Sequence, residues 1–223
     1  MSLMQSLPDD GHGSEGQGVF ASIARDLREH GFSIISNALP PPISEALFKQ
    51  CYLSDGSEFS RAGIGRKQRY EKNRFVRNDN IQWIKGVTDA EQTWLDWMAQ
   101  MQQFLNRHLL LGLFSFESHF AHYPPGAFYK KHLDAFQGQT NRILSTVTYL
   151  NPGWLPEDGG ELLIYDKADH HQIARIMPLY GTLVVFLSED FPHEVLPAQR
   201  DRYSVVGWFR VNSSICNHID PPN

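Results

Sequence analysis

The second half of this chain is a succession of short apolar runs, and this feature limits its possible folds more than any other. The runs are six to ten residues long, rich in β-branched and aromatic residues, and separated by Gly, Pro and Asp turns. Such segments predict β-strands rather than helices. They are SFESHFAHY (115–123), AFYKKHL (127–133), RILSTVTYLN (142–151), GGELLIYD (159–166), GTLVVFL (181–187), HEVLPA (193–198) and RYSVVGWFRV (202–211).

In the first half of the chain, the apolar residues recur with a helical periodicity instead. Residues 19–31 and 39–53 are candidate helices, and the short run 32–36 between them is a candidate strand. The segment 89–111 is the clearest helix, because its Trp, Met, Phe and Leu residues recur every three or four positions. We therefore predict an α+β protein in which a β-sandwich or barrel is backed by helices.

The net charge and the cysteine content limit the classes of binding partner and the cellular location that we expect. The formal net charge of −5 argues against general nucleic-acid binding, which usually needs a basic face. The chain lacks an eighteen-residue apolar run and the start of a signal peptide, so no membrane partner is expected. Its two cysteines, Cys51 and Cys216, form no disulfide framework. We therefore expect a cytoplasmic location.

One long segment, residues 55–80, is basic in its middle. Between Arg61 and Arg77 it carries seven Lys or Arg residues against one acidic residue. A loop of this length in a compact domain is usually functional or mobile. The residues leave two interpretations open: a solvated surface hairpin, or a lid over a substrate that is acidic near its target residue.

Three residues in the strand-rich half are candidate metal ligands. His132 and Asp134 are two positions apart in FYKKHLDAFQ, so in a strand their side chains share one face. His193 stands at the entrance of another strand. Two imidazoles and one carboxylate leave three coordination positions open, as non-haem Fe(II) oxygenases need. A His-x-Asp pair is common by chance, however, and a lone strand histidine is more often structural.

A candidate anion site accompanies these ligands. Arg202 shares a predicted strand face with Trp208, and a guanidinium on an inner face needs an anion such as a dicarboxylate. The alternative is an arginine at the rim that forms an ion pair with Asp201 or another acidic residue. We expect Tyr149 to bind the same anion, whereas Tyr123 fits a ligand role and a core role about equally.

Other roles stay open at this stage. By alternation His119 shares the face of Tyr123, where a structural role is expected, and Lys130 shares the face of His132 without a role. A zinc hydrolase or a ligand-binding protein without turnover would also accommodate the three candidate ligands. A hydrolase, however, would have no need of a carboxylate pocket.

At these residues the sequence resembles the Fe(II)- and 2-oxoglutarate-dependent dioxygenases, specifically the prolyl-4-hydroxylase-like group with the hypoxia-factor prolyl hydroxylases and their bacterial relatives. The resemblance covers residues 77–209, and its most specific part is H-x-D, then His, then Arg nine residues later. The segment between Asp134 and Tyr149 differs from the animal enzymes, so their substrate-side residues do not transfer. The motifs are RNDNIQWI, YPPGAFYKKHLD, TYLNPGW, GGELLIY and FPHEVLPAQRDRYSVVGWF.

The resemblance implies a double-stranded β-helix, or jelly-roll, core with supporting helices packed on one sheet. The jelly-roll would span 114–211 and the helical support, with its mobile loop 55–80, would span 18–110. Together they would form one oxygenase domain, 18–211. Residues 1–17 are expected to be disordered, and residues 212–223 to form a tail.

The resemblance also implies an activity and roles for the candidate residues. It implies hydroxylation of a prolyl residue in a peptide or protein with dioxygen, giving succinate and carbon dioxide, with ascorbate as reductant. A hydroxylase of a free amino acid or another small molecule is the alternative. The implied Fe(II) ligands are His132, Asp134 and His193, and the implied 2-oxoglutarate pocket comprises Arg202, Tyr149, Tyr123 and Trp208.

Overall fold

The computed structural model describes residues 13–53, 59–61, 77–135 and 141–212. Within these ranges the helices are α1 (Gly13–His30), α2 (Pro41–Leu53) and α3 (Asp89–Leu109). The strands are β1 (Phe32–Ile35), β2 (Ser60–Arg61), β3 (Asn80–Trp83), β4 (Leu113–Tyr123), β5 (Tyr129–His132), β6 (Arg142–Tyr149), β7 (Leu162–Tyr165), β8 (Gln172–Ile176), β9 (Leu183–Leu187), β10 (His193–Val195) and β11 (Arg202–Val211).

The strands form two sheets in the described part of the chain. The major sheet has the order β1-β9-β6-β11-β4-β3-β2, and the minor sheet has the order β5-β10-β7-β8. Every pair of neighbouring strands is antiparallel. The long strand β11 lies at the centre of the major sheet, between β6 and β4.

The molecule is layered because alternate residues of the major sheet point to opposite sides. On β6, Leu144 packs with the helices, whereas Val147 and Tyr149 pack toward the minor sheet. The helix-side core includes Trp94 and Met98 of α3, as the predicted stripe requires. The core between the sheets includes Ile164 of β7. The predicted α+β architecture, with helices packed on one sheet, is therefore observed.

A buried carboxylate organises the start of α3. Thr88 caps the helix by accepting a hydrogen bond from the Glu91 amide at 3.2 Å. The Glu91 carboxylate accepts hydrogen bonds from the amides of Lys85 and Val87, both at 3.0 Å. It also accepts one from the Gln50 side chain of α2, at 2.8 Å. These contacts join α2, α3 and the connection from β3.

Several boundaries differ from the sequence-based expectation. Helix α1 begins at Gly13, so residues 13–17, which were expected to be disordered, belong to this helix. The sequence did not predict β8, which is largely exposed and carries no clear alternation. It also did not predict β2 and β3, which add to the edge of the major sheet beside β4.

Some predictions fall on parts of the chain that lie outside the described residues. These are the disorder of residues 1–12, the middle of the basic segment at 62–76, and the tail from residue 213 onward. In the described part of the chain, the helices are too short or too polar to cross a membrane.

Candidate active site

The structure brings the three candidate metal ligands together between the sheets. His132, Asp134 and His193 each offer one ligand atom, and these atoms lie within 4.8 Å of one another. The Asp134 carboxylate is 3.6 Å from Nε2 of His132 and 3.7 Å from Nε2 of His193. His193 and His132 are cross-strand partners on β10 and β5.

Backbone carbonyl groups fix which nitrogen each histidine presents. Nδ1 of His132 lies 2.8 Å from the Lys130 carbonyl, and Nδ1 of His193 lies 3.0 Å from the Phe191 carbonyl. Because a carbonyl oxygen only accepts hydrogen bonds, we assign the proton to Nδ1 in both rings. Nε2, which faces Asp134, therefore keeps its lone pair and is available to a metal.

Asp134 reaches the site by a different route from the predicted one. Strand β5 ends at His132, and Asp134 lies in the bend that follows, so strand alternation does not place it. Instead, the Ser145 hydroxyl of β6 donates a hydrogen bond of 2.6 Å to the carboxylate. Ser145 is in turn 2.9 Å from the hydroxyl of Ser188. This pair of serines anchors Asp134 from the major sheet.

Electrostatics keep the donor set in the protonation states that bind a metal. Burial lowers the pKa of His193 to about 4, with a further contribution from His132, so its imidazole is neutral at pH 7. Burial acts to raise the pKa of Asp134, but His193, His132 and Arg142 outweigh it and hold that pKa well below its usual value. An ionised Asp134 carboxylate and a neutral His193 imidazole are the states of these two groups that metal binding requires.

Arg202 lies at the start of β11, and its guanidinium faces Tyr123 and Tyr149 of the core between the sheets. Its side chain is 1% exposed, and its Nε donates to the Gly160 carbonyl at 2.8 Å. Among the described residues no carboxylate lies within ion-pairing distance of it, and Asp201 instead pairs with His122 at 2.6 Å. The alternative of an Arg202–Asp201 pair is therefore wrong.

Two tyrosines flank this guanidinium. Its central carbon lies 5.0 Å from the ring centres of both Tyr123 and Tyr149. The hydroxyl groups of Tyr149 and Ser204 are buried and have no hydrogen-bond partner among the described residues. Burial raises the pKa of Tyr149 to about 12 against the opposing charge of Arg202, so its hydroxyl stays protonated. The pocket thus offers a cation and hydroxyl groups without acceptors.

Gly160 explains the GGEL motif in physical terms. A Cβ atom at this position would come within 2.8 Å of the Ala198 Cβ and 3.1 Å of the Arg202 Cδ. Its φ angle of +70° is also one that glycine adopts most easily. The residue therefore lets the backbone approach Arg202 closely enough to accept its hydrogen bond.

Trp208 and His119 lie further along the same face. Their ring centres are 5.4 Å apart, and the Arg142 guanidinium lies 3.6 Å from the Trp208 ring centre. Burial, together with the charges of Arg77 and Arg142, lowers the pKa of His119 to about 3. His119 is 2% exposed and stacks edge-on against Trp83, as a structural residue would. Lys130 is exposed.

Sequence reasoning missed four residues that support the site: Ser145, Ser188, Gly160 and Tyr129. Alternation from Tyr149 places Ser145 on the same face of β6, so this residue could have been found. The glycine pair before β7 was a further signal. Tyr129 stacks on His132 with ring centres 3.6 Å apart, although strand parity places the two on opposite faces.

This fold and site define the class of the protein. A sequence profile of the 2OG-Fe(II) oxygenase superfamily matches residues 118–210, which contain every candidate ligand described above. The crystal structure of a Pseudomonas putida prolyl-4-hydroxylase is 42% identical to this chain, with a TM-score of 0.78. That alignment covers 87% of this chain and 100% of the other. The chain belongs to the 2OG-Fe(II) oxygenase superfamily.

Two further similarities come from animal proteins. A Trichoplax adhaerens prolyl hydroxylase, in complex with a hypoxia inducible factor oxygen degradation domain peptide fragment, is 26% identical, with a TM-score of 0.79. That alignment covers 91% of this chain and 94% of the other. The human protein Egl nine homolog 1 is 27% identical in an alignment of 192 residues that covers 82% of this chain and 44% of the human protein. This chain thus spans less than half of that relative.

Proposed function

We propose that this protein is an Fe(II)- and 2-oxoglutarate-dependent dioxygenase that hydroxylates a prolyl residue in a peptide or protein. The observation that carries the proposal is the buried guanidinium of Arg202, which has no carboxylate partner among the described residues, in a fold that also brings together a two-His, one-carboxylate cluster. A buried cation without a counter-ion is costly unless a ligand supplies the anion. A dicarboxylate co-substrate supplies one.

The donor set fits Fe(II). His132, Asp134 and His193 provide two imidazole nitrogens and one carboxylate oxygen, a combination suited to a borderline divalent ion with open positions. The pocket fits 2-oxoglutarate: Arg202 and Tyr149 would bind its distal carboxylate, and Tyr123 and Trp208 would line the site. When bound, these groups supply oxidative decarboxylation of 2-oxoglutarate by dioxygen to succinate and carbon dioxide, coupled to hydroxylation of a C–H bond.

The chain's own residues hold and shield this chemistry. Ser145 and Ser188 orient the Asp134 carboxylate, and the carbonyls of Lys130 and Phe191 orient the two imidazoles. The core between the sheets keeps water from the buried wall of the pocket, which strengthens the attraction between Arg202 and a carboxylate.

The prolyl substrate is supported by the relatives. The 42% identical Pseudomonas putida structure is a prolyl-4-hydroxylase, and the Trichoplax adhaerens enzyme was solved with a peptide fragment. We also propose that the two sheets close into a jelly-roll within a single oxygenase domain, that ascorbate serves as reductant, and that the protein is cytoplasmic.

The test is turnover of the purified protein with Fe(II), ascorbate and 2-oxoglutarate. We expect succinate from wild type and, with a library of proline-containing peptides, a mass gain of one oxygen atom. Replacing Arg202 with Ala should lower succinate yield about 100-fold, as loss of a buried charged hydrogen-bonding group does. The matched control is Arg200→Ala, because Arg200 is exposed and pairs with Asp158 at 3.5 Å.

Two outcomes would contradict this assignment. Equal succinate yields from wild type and Arg202→Ala would remove Arg202 from the co-substrate pocket. Oxygen gain on free proline, but on none of the peptides, would favour the small-molecule alternative. Peptides whose proline is replaced by alanine provide the substrate control.

We further propose that the peptide is acidic near its target residue, since the segment around Arg66, Lys67 and Arg69 is basic. Neutralising these three residues should weaken peptide binding and reduce its dependence on salt concentration. Unchanged affinity and unchanged salt dependence would remove this part of the proposal.

A further inference from the structure

We propose that Tyr129, anchored by the Arg77–Asp79 ion pair, is a positioning residue that sets the ring plane of His132. The inference rests on the proposed function, because it takes His132 to be a metal ligand. It concerns a residue that contacts the ligand ring and not the metal. Four observations carry it: an edge strand, a bulge, a ring stack and a buried ion pair.

His132 lies at the end of a short edge strand, where few backbone contacts restrain its position. It is the last residue of β5, a four-residue strand at the edge of the minor sheet whose neighbouring strand in that sheet is β10. Its Nδ1 contact is to Lys130 of the same strand, and is therefore local. The torsion that turns an imidazole about its Cβ–Cγ bond has broad minima, so rotamer preference does not fix the ring plane. Besides the bond to the Lys130 carbonyl, contacts with neighbouring side chains are needed to fix the ring plane.

A bulge in β5 brings Tyr129 to this ring. His193 pairs with His132 and Val195 pairs with Tyr129, so two steps along β10 match three steps along β5. The extra residue turns the strand, as bulges beside functional sites do. Tyr129 and His132, which ordinary alternation would send to opposite faces, then stack with ring centres 3.6 Å apart and planes tilted by 18°.

Tyr129 is contacted by Arg77, which lies near the C-terminal end of the basic segment 55–80. Arg77 forms a backbone bridge with Tyr129, and its guanidinium lies 4.4 Å from the Tyr129 ring centre. Two guanidinium nitrogens of Arg77 bind the two carboxylate oxygens of Asp79, at 2.7 and 2.5 Å. The side chains of Arg77 and Asp79 are 12% and 0% exposed, so solvent screens this pair little.

The other two candidate ligands each have separate supports. The His193 ring contacts Phe186 with centres 4.8 Å apart, and Asp134 is bound by Ser145. For His132, the stacked ring of Tyr129 restrains the orientation of the imidazole in a similar way. Groups that orient metal ligands typically alter metal affinity by roughly 10- to 100-fold when they are lost. A purely structural Tyr129 would stabilise the fold without changing the metal site.

The test uses Co(II) as the probe with the full-length protein. Co(II) affinity is measured by competition with a coloured chelator, and the visible absorption of bound Co(II) reports its coordination geometry. We expect Tyr129→Leu, which removes the planar ring, to lower affinity roughly 10-fold and to change the spectrum. Tyr129→Phe keeps the stack, so it should stay within about twofold of wild type.

A matched control and a second route complete the design. Tyr165 is another minor-sheet tyrosine with a cation over its ring, since Lys131 Nζ lies 3.8 Å from its centre, and Tyr165→Leu should leave the Co(II) affinity unchanged. The double variant Arg77→Met/Asp79→Asn removes the anchor without leaving a buried charge unpaired. It should weaken Co(II) binding more than Tyr129→Phe does, and it decides the question if Tyr129→Leu does not fold.

Each outcome counts for or against the proposal. Wild-type affinity and spectrum in Tyr129→Leu would overturn it, as would an equal loss in Tyr129→Phe and Tyr129→Leu. His132→Ala separates this proposal from the metal assignment. If His132→Ala binds Co(II) as wild type does, the metal assignment fails; if it loses Co(II) while Tyr129→Leu keeps it, only the positioning role fails.

Discussion

Tyr149 and Ser204 bury hydroxyl groups that have no hydrogen-bond partner among the described residues, and Arg202 buries a guanidinium with no carboxylate beside it. Such groups are costly in a folded protein, because each has given up water without a replacement. Arg77, by contrast, is satisfied by Asp79. Tyr149 lies against the Arg202 guanidinium and is the cross-strand partner of Ser204, so one ligand that satisfies these three groups together would account for their cost.

His119 leads to a prediction at the residue scale. Its pKa is lowered from 6.5 to about 3 by burial and by the charges of Arg77 and Arg142. Between these values the unfolded chain binds a proton that the folded protein excludes, so this contribution to stability is present above pH 6.5 and is lost as pH falls toward 3. The loss should be about 1.4 kcal/mol per pH unit below pH 6.

The measurement is denaturant unfolding of the metal-free protein between pH 7 and pH 4. His119→Leu removes the titrating group, so its unfolding free energy should depend less steeply on pH than that of wild type. The control is His30→Gln at an exposed position. Equal slopes for wild type and His119→Leu would show that this histidine is protonated in the folded protein.

At the scale of elements, packing depends on a few polar anchors as well as on apolar stripes. Glu91 accepts hydrogen bonds from the Lys85 and Val87 amides and from the Gln50 side chain, and it is buried. A buried carboxylate with several charge-assisted hydrogen bonds holds neighbouring elements in one arrangement. Through these bonds α2, α3 and the end of β3 support the helix side of the major sheet.

Replacing Glu91 should lower the unfolding free energy substantially. Glu91→Ala leaves two amides and one side-chain amide without their acceptor, so we expect a loss of about 3 kcal/mol in the unfolding free energy. Glu91→Gln keeps one acceptor oxygen and should cost less. Urea unfolding measures both variants. The control is Asp96→Ala, because Asp96 is exposed on the same helix. Similar losses for Glu91→Ala and Asp96→Ala would contradict the anchor.

Much of the element pattern was predictable from local sequence. Alternation and turn residues predicted the strands of the second half, and the Trp and Met stripe predicted α3. The bulge of β5 was not predictable, because it depends on how many residues of β10 oppose Tyr129 and His132. Strand β8 was missed for a related reason: its exposed edge position needs no apolar face.

At the scale of the whole molecule, the candidate metal site joins distant parts of the chain. Its donors come from the end of β5, the bend after it and the start of β10, and Ser145 of β6 supports them. The unfolded chain does not hold these groups together. Metal binding should therefore stabilise the fold.

Mn(II) can test whether metal binding stabilises the fold, because it is not readily oxidised under these conditions. At a free concentration of 100 times the dissociation constant it should raise the unfolding free energy by about 2.7 kcal/mol. Chemical denaturation with and without Mn(II) measures the increment. His193→Ala removes one donor, so its increment should be much smaller, whereas His171→Ala at an exposed turn should behave as wild type. An equal increment in His193→Ala would contradict the site.

The sequence by itself determined the types of the main elements, their order and the identity of the metal and anion candidates. These properties follow from side-chain alternation, helical periodicity and motif spacing, all of which are local along the chain. The family resemblance rested on the spacing of H-x-D, His and Arg. In the structure each of these residues starts a strand, ends a strand or lies just beyond one.

Only the tertiary structure decided how these residues are supported. The Ser145–Ser188 pair, the Gly160 contact to Arg202 and the Tyr129 stack on His132 each join segments, or turn a strand, in ways that strand parity does not predict. The same is true of the hydroxyl groups left without partners. The physical reason is that hydrogen-bond satisfaction and ring contact depend on which elements meet across the core, and that is set by packing between the sheets.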